Sequence, residues 1–359
     1  MASSKQLPSH YRALQLDTLE NGFELKSLPV PSPVHGSAIV KVEQAWVFSY
    51  HRDIYNGERH YDFPKPIVGG SGCIGRIAET GPDATLLHPG QLVYVDSVIH
   101  GRDNPDDLFL SAIHSGSTEG SQKLCRDVWR NGAFGELCHE LGYTTQQLAY
   151  LGYLLVPFGG LRDIRLEPGE TIVISPATGG FGGAGVQVAI AMGARVIAMG
   201  RNERELARLK QHINKGTPTA RIDIVKITGD EKVDTASLRA FGPTDAVLDL
   251  TPLFAENSTH LKCALSNLRR NGRAILMGLA GPSFPMDPWS FIGRNIALKG
   301  KLMYEREDIL QFVKMLEAGL FPRGEEFVNA KTFDMEDWKM AFDVAAEHTG
   351  IGKVVSIKP

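Results

Sequence analysis

The chain has 359 residues, of which 43% are hydrophobic and 22% are charged, and its formal net charge at pH 7 is −3. This near balance of charge, without a basic stripe, argues against nucleic acid as a partner. No apolar run approaches the ~20 residues of a membrane span and the start of the chain has no signal-peptide core, so we expect a cytoplasmic protein that is not embedded in a membrane. The scattered cysteines argue against a disulfide scaffold or a four-thiolate zinc site; they are Cys73, Cys125, Cys138 and Cys263.

The length predicts two domains, and residues 1–150 are typical of the β-rich one. The run "SAIVKVEQAWV" alternates as a half-buried strand does. Gly81-Pro82 and Pro89-Gly90 are turn signals between further short strands. The polar, Gly-rich stretch 100–132 is compatible with either a loop near a binding site or a plain surface loop.

The pattern changes near residue 168, where apolar strands begin to alternate with amphipathic helices. The strand-like runs are "TIVIS", "RVIAM", "RIDIVKI", "DAVLDL" and "AILMG". This alternation predicts an α/β fold in which a doubly wound, parallel Rossmann sheet follows the β-rich domain. The tail from residue 302 contains a helix and a final strand, and we expect it to return to the first domain.

A glycine-rich loop, "ISPATGGFGGAG" (174–185), joins the first of these strands to the next helix. Such a loop lets the backbone approach a pyrophosphate closely, while the helix N-terminus supplies N–H groups. Alanine replaces the first glycine of the usual fingerprint. The residues predicted to hold the phosphates are Ala177, Thr178, Gly179, Gly180, Phe181 and Gly182.

The end of the second strand indicates which dinucleotide binds. NAD enzymes usually place an acid there for the ribose 2′-OH, but this chain has Gly200, Arg201 and Asn202. A guanidinium can grip a 2′-phosphate with two hydrogen bonds, so the sequence predicts NADP(H). The alternative is that Arg201 is only a solvated residue at the start of a helix.

The chain resembles the medium-chain dehydrogenase/reductase superfamily, which includes alcohol dehydrogenases and quinone oxidoreductases. The resemblance rests on "HRDIYNG", "KPIVGGSGCIGRIAETG", "HPGQLVYV", the glycine-loop segment 168–202 and "RAILMGLAG". It implies a GroES-like catalytic domain over 1–150, completed by 302–359, and a nucleotide-binding domain over 151–301, with a cleft between them. It also implies a homodimer and places Thr251, Gly278 and Leu279 near the cofactor.

The resemblance fails at the positions where zinc alcohol dehydrogenases bind their catalytic metal. Tyr50 matches the first ligand, Ser71 matches the histidine of Gly-His-Glu, and Gly72 matches the neighbouring acid. The third ligand should fall in 150–160, which contains no Cys, His, Asp or Glu. Zinc requires thiolate, imidazole or carboxylate ligands, so we predict an enzyme without zinc.

Without a metal, reduction of an activated double bond demands less of the protein than alcohol oxidation, because the substrate carbonyl spreads the charge. We therefore predict an NADPH-dependent reductase of small enones or quinones. The candidate catalytic residues are Tyr50, His51 and Tyr55, and Tyr61 and Ser71 are predicted to face the substrate. Two alternatives stay open: a metal-free carbonyl reductase or alcohol dehydrogenase of specialised metabolism, and a non-catalytic NADPH-binding protein of the lens-crystallin kind.

Overall fold

The computed structural model describes residues 7–101, 103–133, 148–252, 255, 258–278, 288–322, 324 and 327–359. By its internal contacts the chain divides into two compact units. The first unit comprises residues 1–150, 328–349 and 353–359, and the second comprises 151–327 and 350–352. Among the described residues, no helix combines the length and the apolar character needed to cross a membrane.

The first unit begins as a series of short strands, as its turn-rich sequence predicts. Its elements up to residue 133 are β1 (His10–Leu16), β2 (Phe23–Pro29), β3 (Ala38–Val47), α1 (His51–Tyr55), β4 (Ile67–Val68), β5 (Cys73–Thr80), β6 (Leu92–Val95), β7 (Val98–His100), β8 (Leu108–Leu110) and α2 (Glu119–Asp127). The stretch 100–132, which the sequence left open, thus contains β8 and the helix α2, whose N-terminus Thr118 caps.

The second unit alternates strands with helices. Its elements are α3 (Leu151–Asp163), β9 (Thr171–Ser175), α4 (Gly180–Ala191), β10 (Arg195–Gly200), α5 (Glu203–Gly216), β11 (Ile222–Lys226), α6 (Glu231–Arg239), β12 (Thr244–Asp249), α7 (His260–Ser266), β13 (Leu268–Leu276), α8 (Pro288–Ile292), β14 (Ala297–Gly300) and α9 (Arg306–Glu317). The strands form one parallel six-stranded sheet in the order β11-β10-β9-β12-β13-β14. This is the doubly wound order, and its switch point lies between β9 and β12.

The last segment closes the first unit with β15 (Asn329–Asp334), α10 (Trp338–Glu347) and β16 (Lys353–Lys358). The strands β15-β16-β3-β5-β6 form a five-stranded sheet, and β2-β1-β4 form a three-stranded one. Side chains of β1, α1, α10 and β16 share one apolar core, which includes Leu14, Ile54, Phe342 and Val355.

The chain rejoins the first unit at residue 328, later than residue 302, where the sequence analysis placed the return. Residues 302–327 group with the second unit because α9 packs against α3. The ring of Phe312 on α9 lies 5.0 Å from that of Phe158 on α3, and also 5.0 Å from that of Phe321. An amphipathic helix has the same pattern in either unit, so its sequence does not reveal where it packs.

Candidate nucleotide and substrate sites

The glycine loop lies between the end of β9 and the start of α4, at the carboxyl edge of the parallel sheet. The N–H of Ala177 donates to Met199 O at 2.7 Å, which ties the loop to β10. The N–H of Gly183 donates to Gly179 O at 2.8 Å and so forms the first turn of α4. Gly179 is the N-cap and provides no side-chain acceptor. The first-turn amides therefore present the positive end of the helix dipole at the sheet edge.

The glycines of this loop are required for different reasons. A Cβ on Gly182 would lie 1.9 Å from Pro176 O, and one on Gly180 would lie 2.6 Å from the ring of Tyr153. That ring also packs on Phe181, with 4.8 Å between centroids. A Cβ on Gly179, in contrast, would meet nothing within 4 Å. Gly182 is thus needed for packing, whereas the bare side of Gly179 opens onto space that a ligand can occupy.

The residues after β10 differ in what their side chains do. Gly200 is buried, and a Cβ there would lie 3.0 Å from Thr178 Cγ2. Asn202 uses its side-chain oxygen to cap α5, accepting from the N–H groups of Arg204 at 3.0 Å and Glu205 at 3.2 Å. Its side-chain oxygen is therefore committed to the helix, and a contact with a cofactor would use its side-chain N–H groups or its main chain.

Arg201 extends from the same edge as an exposed cation. Within the part of the chain that the structure describes, it has no ion-pair partner. Lys226, the parallel-sheet neighbour of Gly200, adds a second cation at the carboxyl end of β11, although its ammonium lies 3.5 Å from Glu203. The edge formed by β10 and β11 is thus suited to an anionic group.

A buried polar network closes the other side of the switch point, at the end of β12. The hydroxyl of Thr251 donates to Asp249 and lies 2.7 Å from His260 Nε2. His260 Nδ1 in turn lies 2.6 Å from the hydroxyl of Ser258. The Thr251 hydroxyl is turned into the protein, and the Thr251 N–H donates to Asp249 Oδ2 at 3.4 Å. The predicted cofactor contact would therefore use the main-chain carbonyl of Thr251. The sequence analysis missed this network, since nothing in the local pattern links His260 to a residue nine positions earlier.

Gly278 and Ser175 also lie at this edge of the sheet. A Cβ on Gly278 would lie 2.2 Å from Thr251 N, so a glycine lets the chain after β13 pass close to the end of β12. The hydroxyl of Ser175, at the end of β9, is buried and has no hydrogen-bond partner among the described residues. Such an atom is suited to a ligand. Leu279 lies outside the described residues.

A surface cavity of about 460 Å³ lies between α3 and α9, away from the glycine loop. Its lining includes Leu166, which leads into β9, and Met192, which follows α4. Both residues lie at the amino end of the sheet. The cavity is therefore separate from the nucleotide edge.

In the first unit, the predicted catalytic residues surround the start of α1. Tyr50 is half-buried and stacks on Phe48, with 5.4 Å between ring centroids. His51 is fully buried, and its Nε2 lies 3.5 Å from the hydroxyl of Ser71. Burial, together with the charge of Arg59, lowers the pKa of His51 to about 3. At neutral pH its imidazole is therefore uncharged and cannot act as a cationic acid.

Tyr55 and Tyr61 are placed differently from Tyr50. The Tyr55 hydroxyl donates to Ala112 O at 2.9 Å and accepts from the Gly70 N–H at 3.0 Å. Burial raises the pKa of Tyr55, and the Gly70 hydrogen bond only partly opposes this. This geometry argues against a catalytic Tyr55 and favours a structural one. Tyr61 is half-buried and packs edge-on against His114, 5.5 Å away.

Comparisons with known proteins agree with this architecture. The family model described as zinc-binding dehydrogenase matches residues 180–318. Alcohol dehydrogenase 1 of Caenorhabditis elegans is 25% identical over 88% of this chain and 89% of its own. Acryloyl-coenzyme A reductase of Metallosphaera sedula is 25% identical over 94% of this chain and 96% of its own.

Among solved structures, acetophenone reductase of Geotrichum candidum in complex with NAD superposes with a TM-score of 0.71 at 16% identity, covering 99% of this chain and 98% of its own. The chain is thus similar over most of its length to members of the medium-chain dehydrogenase/reductase superfamily, which supports the family that its sequence motifs indicate. It is therefore an oxidoreductase, and the fold class predicted from the sequence is confirmed.

The features at the sheet edge fit the dinucleotide that members of this superfamily use. The open side of Gly179 and the N-terminus of α4 suit a pyrophosphate. The Ser175 hydroxyl, which has no hydrogen-bond partner in the described part of the chain, lies at the switch point, where a dinucleotide crosses the sheet.

The residues present do not fit the catalytic zinc of the superfamily's alcohol dehydrogenases. Tyr50 and Ser71, which the sequence resemblance assigns to the ligand positions, are not side chains that zinc favours. A Cβ on Gly72 would lie 2.2 Å from the ring of Trp46, so an acidic side chain has no room there. Within the described residues, no group of three or more His, Cys, Asp or Glu side chains is placed to hold a metal ion.

Proposed function

We propose that the protein is an NADPH-dependent reductase that adds hydride to an activated carbon–carbon double bond, in a small enone or quinone, without a metal ion. What supports the proposal is the chemistry of Tyr50, Ser71 and Gly72, the residues that the sequence resemblance assigns to the metal-ligand positions, since none of them is a ligand that zinc favours. A reductase that lacks a metal needs a substrate whose own carbonyl can take up charge. An enone or a quinone meets this requirement.

In this proposal the first unit binds the substrate and the second binds the cofactor. Bound NADPH supplies the hydride that the β carbon of the substrate accepts. Gly179 and the first turn of α4 hold the pyrophosphate, and the Asp249–Thr251–His260 network fixes the edge beside the nicotinamide half. Tyr50, half-buried at the start of α1, faces the substrate.

The preference for NADPH over NADH rests on Arg201. The residue is exposed at the end of β10, has no ion-pair partner in the described chain, and replaces the acid that would hold a ribose 2′-OH. A carboxylate there would repel a 2′-phosphate, whereas a guanidinium binds it with charge-assisted hydrogen bonds.

Arg201→Ala tests this assignment. Loss of a charge-assisted contact worth about 1.5–3 kcal/mol should weaken NADPH binding about ten- to hundredfold, with NADH binding unchanged. Titration of nicotinamide fluorescence measures both dissociation constants. Arg208→Ala is the matched control, because Arg208 lies further along α5 and pairs with Glu205 at 2.7 Å. An equal loss of NADH and NADPH affinity in Arg201→Ala would contradict recognition of the 2′-phosphate.

We also propose that the protein forms a homodimer through the edge of the nucleotide-binding sheet. The edge strand β14 is exposed at all its residues. Trp289 and Ile292 on α8, and Leu298 on β14, expose apolar side chains at the same end of the sheet. An exposed apolar edge of this kind is suited to pairing with another chain.

A further inference from the structure

Arg59 is a cation that the sequence analysis did not single out, and it lies beside the predicted catalytic residues. It follows α1, where its N–H donates to Asp53 O at 2.7 Å and its carbonyl accepts from the Tyr61 N–H at 2.6 Å. Its side chain is only 14% exposed. The guanidinium carbon lies 4.8 Å from the centre of the Tyr50 ring. The turn after α1 therefore holds Arg59 against the residue that replaces the first metal ligand.

The charge of Arg59 is only loosely compensated. Its Nε lies 3.9 Å from the carboxylate of Asp53, too far for a hydrogen bond, and Asp53 is also 3.7 Å from Arg52. Arg59 Nε is buried and has no hydrogen-bond partner among the described residues. A buried N–H without a partner destabilises the fold, so its retention calls for a functional explanation.

We propose that Arg59 is a catalytic residue that stabilises the negative charge on the substrate oxygen during hydride transfer, in the place of a metal ion. This inference rests on the proposed function. The cation–π contact with Tyr50 positions the guanidinium. Because Nε itself is shut off from solvent, the terminal N–H groups and the charge of the guanidinium would serve the oxyanion. His51, uncharged and buried beside it, cannot supply that charge.

In the proposed hydride transfer, the bonds formed and broken balance. Hydride, with its two electrons, forms a new C–H bond at the β carbon, and the π pair of the double bond moves to give an enolate. The carbonyl oxygen carries the charge, which Arg59 stabilises. A proton from water then adds at the α carbon and restores the carbonyl, and NADP⁺ leaves as the oxidised product. With a quinone, hydride adds to a ring carbon conjugated with a carbonyl and the π pair moves to one oxygen, which takes one proton from water. The hydrogen on the ring carbon then leaves as a proton, the second oxygen gains one, and the hydroquinone results from one hydride and one net proton.

The test compares Arg59→Met, Arg59→Lys and Arg59→Ala with the wild type, using NADPH with cyclohexenone and with benzoquinone. Loss of an oxyanion donor should lower kcat about 10²–10³-fold in Arg59→Met, and less in Arg59→Lys. The dissociation constant for NADPH should stay within about twofold of the wild type. Added guanidinium ion should restore part of the turnover of Arg59→Ala, which a merely structural role would not allow. Arg76→Met is the control, because Arg76 lies on β5 of the same unit and donates to Gly90 O.

The possible results distinguish failure of the proposed role of Arg59 from failure of the proposed function. Wild-type turnover with an unchanged kcat in Arg59→Met would overturn the role of Arg59 alone. A loss of kcat in Arg59→Ala that guanidinium does not rescue would also overturn that role. So would an equal loss of kcat in Arg59→Ala and Arg59→Lys, if the thermal midpoint of both variants is also lower. A wild-type protein that reduces neither substrate with NADPH would refute the proposed function, and the inference with it.

Discussion

Gly182→Ala is expected to abolish measurable NADPH binding and to lower the free energy of unfolding of the second unit by about 3 kcal/mol. The added Cβ would lie 1.9 Å from Pro176 O and 2.9 Å from Ala177 Cα. Both atoms belong to the backbone, so the loop itself must shift and the first turn of α4 moves with it. Isothermal calorimetry measures the binding, and urea unfolding followed by intrinsic fluorescence measures the stability.

Gly179→Ala is the matched control in the same loop. A Cβ there meets nothing within 4 Å, so the change in unfolding free energy should stay below about 1 kcal/mol, the cost of a poorer N-cap. NADPH binding should nevertheless weaken about tenfold or more, because the methyl group enters the space assigned to the pyrophosphate. Gly182→Ala protein that binds NADPH as the wild type does would contradict this account of the loop.

Asp234→Asn is expected to destabilise the second unit by about 3 kcal/mol, because the substitution weakens four hydrogen bonds to a buried carboxylate. The buried carboxylate accepts from the N–H and the hydroxyl of Thr228, from the Gly229 N–H and from the Thr259 hydroxyl. It thus joins the loop after β11 to the start of α7. Asp230→Asn should change the stability by only a few tenths of a kcal/mol, since Asn caps a helix as well as Asp; Asp230 is the N-cap of α6.

The contribution of Asp234 should also depend on pH. Burial raises the pKa of this carboxyl, but the hydrogen bonds from Thr228, Thr259 and Gly229 outweigh it and hold the pKa below its ordinary value. A lowered pKa in the folded state stabilises the fold above the unfolded pKa of about 3.9, and this stabilisation is lost as the pH falls through the folded value. The stability difference between wild type and Asp234→Asn should therefore shrink below about pH 4. If the stability difference between wild type and Asp234→Asn, measured by urea midpoints, stayed constant down to pH 3, this role of the Asp234 carboxylate would be contradicted.

The nucleotide edge could be predicted from the sequence because its determinants are local. The strands β9 and β10, the helix between them and Arg201 lie within about thirty consecutive residues, where periodicity and glycine spacing are strong signals. The edge strand β14 gave no such signal, because its four residues are all exposed and do not alternate.

The substrate side could be predicted only in part, since its contacts join residues far apart in the chain. "DIYNG" suggests an aromatic residue near the substrate, but the Tyr55 hydroxyl bonds to Ala112, 57 positions later. Arg59 reaches Tyr50 through a turn whose path the sequence does not specify. The Thr251 hydroxyl is directed inward by His260, a histidine that the sequence analysis did not mark. In each case tertiary contacts decide which polar atoms remain for a ligand.

The relatives are oxidoreductases, but their names do not specify which bond this protein reduces or oxidises. An alcohol dehydrogenase and an acryloyl-coenzyme A reductase match the chain equally well at 25% identity. The first name implies a reaction at a carbon–oxygen bond, and the second implies a reaction at a carbon–carbon bond. Our proposal of the second kind of chemistry rests on Tyr50, Ser71 and Gly72, which the sequence resemblance assigns to the metal-ligand positions.

Steady-state oxidation of NADPH by the wild-type protein, measured with cyclohexenone, benzoquinone and acetophenone before and after treatment with a zinc chelator, tests whether the protein reduces an activated double bond without a metal. We expect the enone or the quinone to be reduced with NADPH, much more slowly with NADH, and at the same rate after chelation. Activity that the chelator removes and zinc restores would contradict a metal-free mechanism. Reduction of the ketone alone would contradict the assignment of an activated double bond as the substrate.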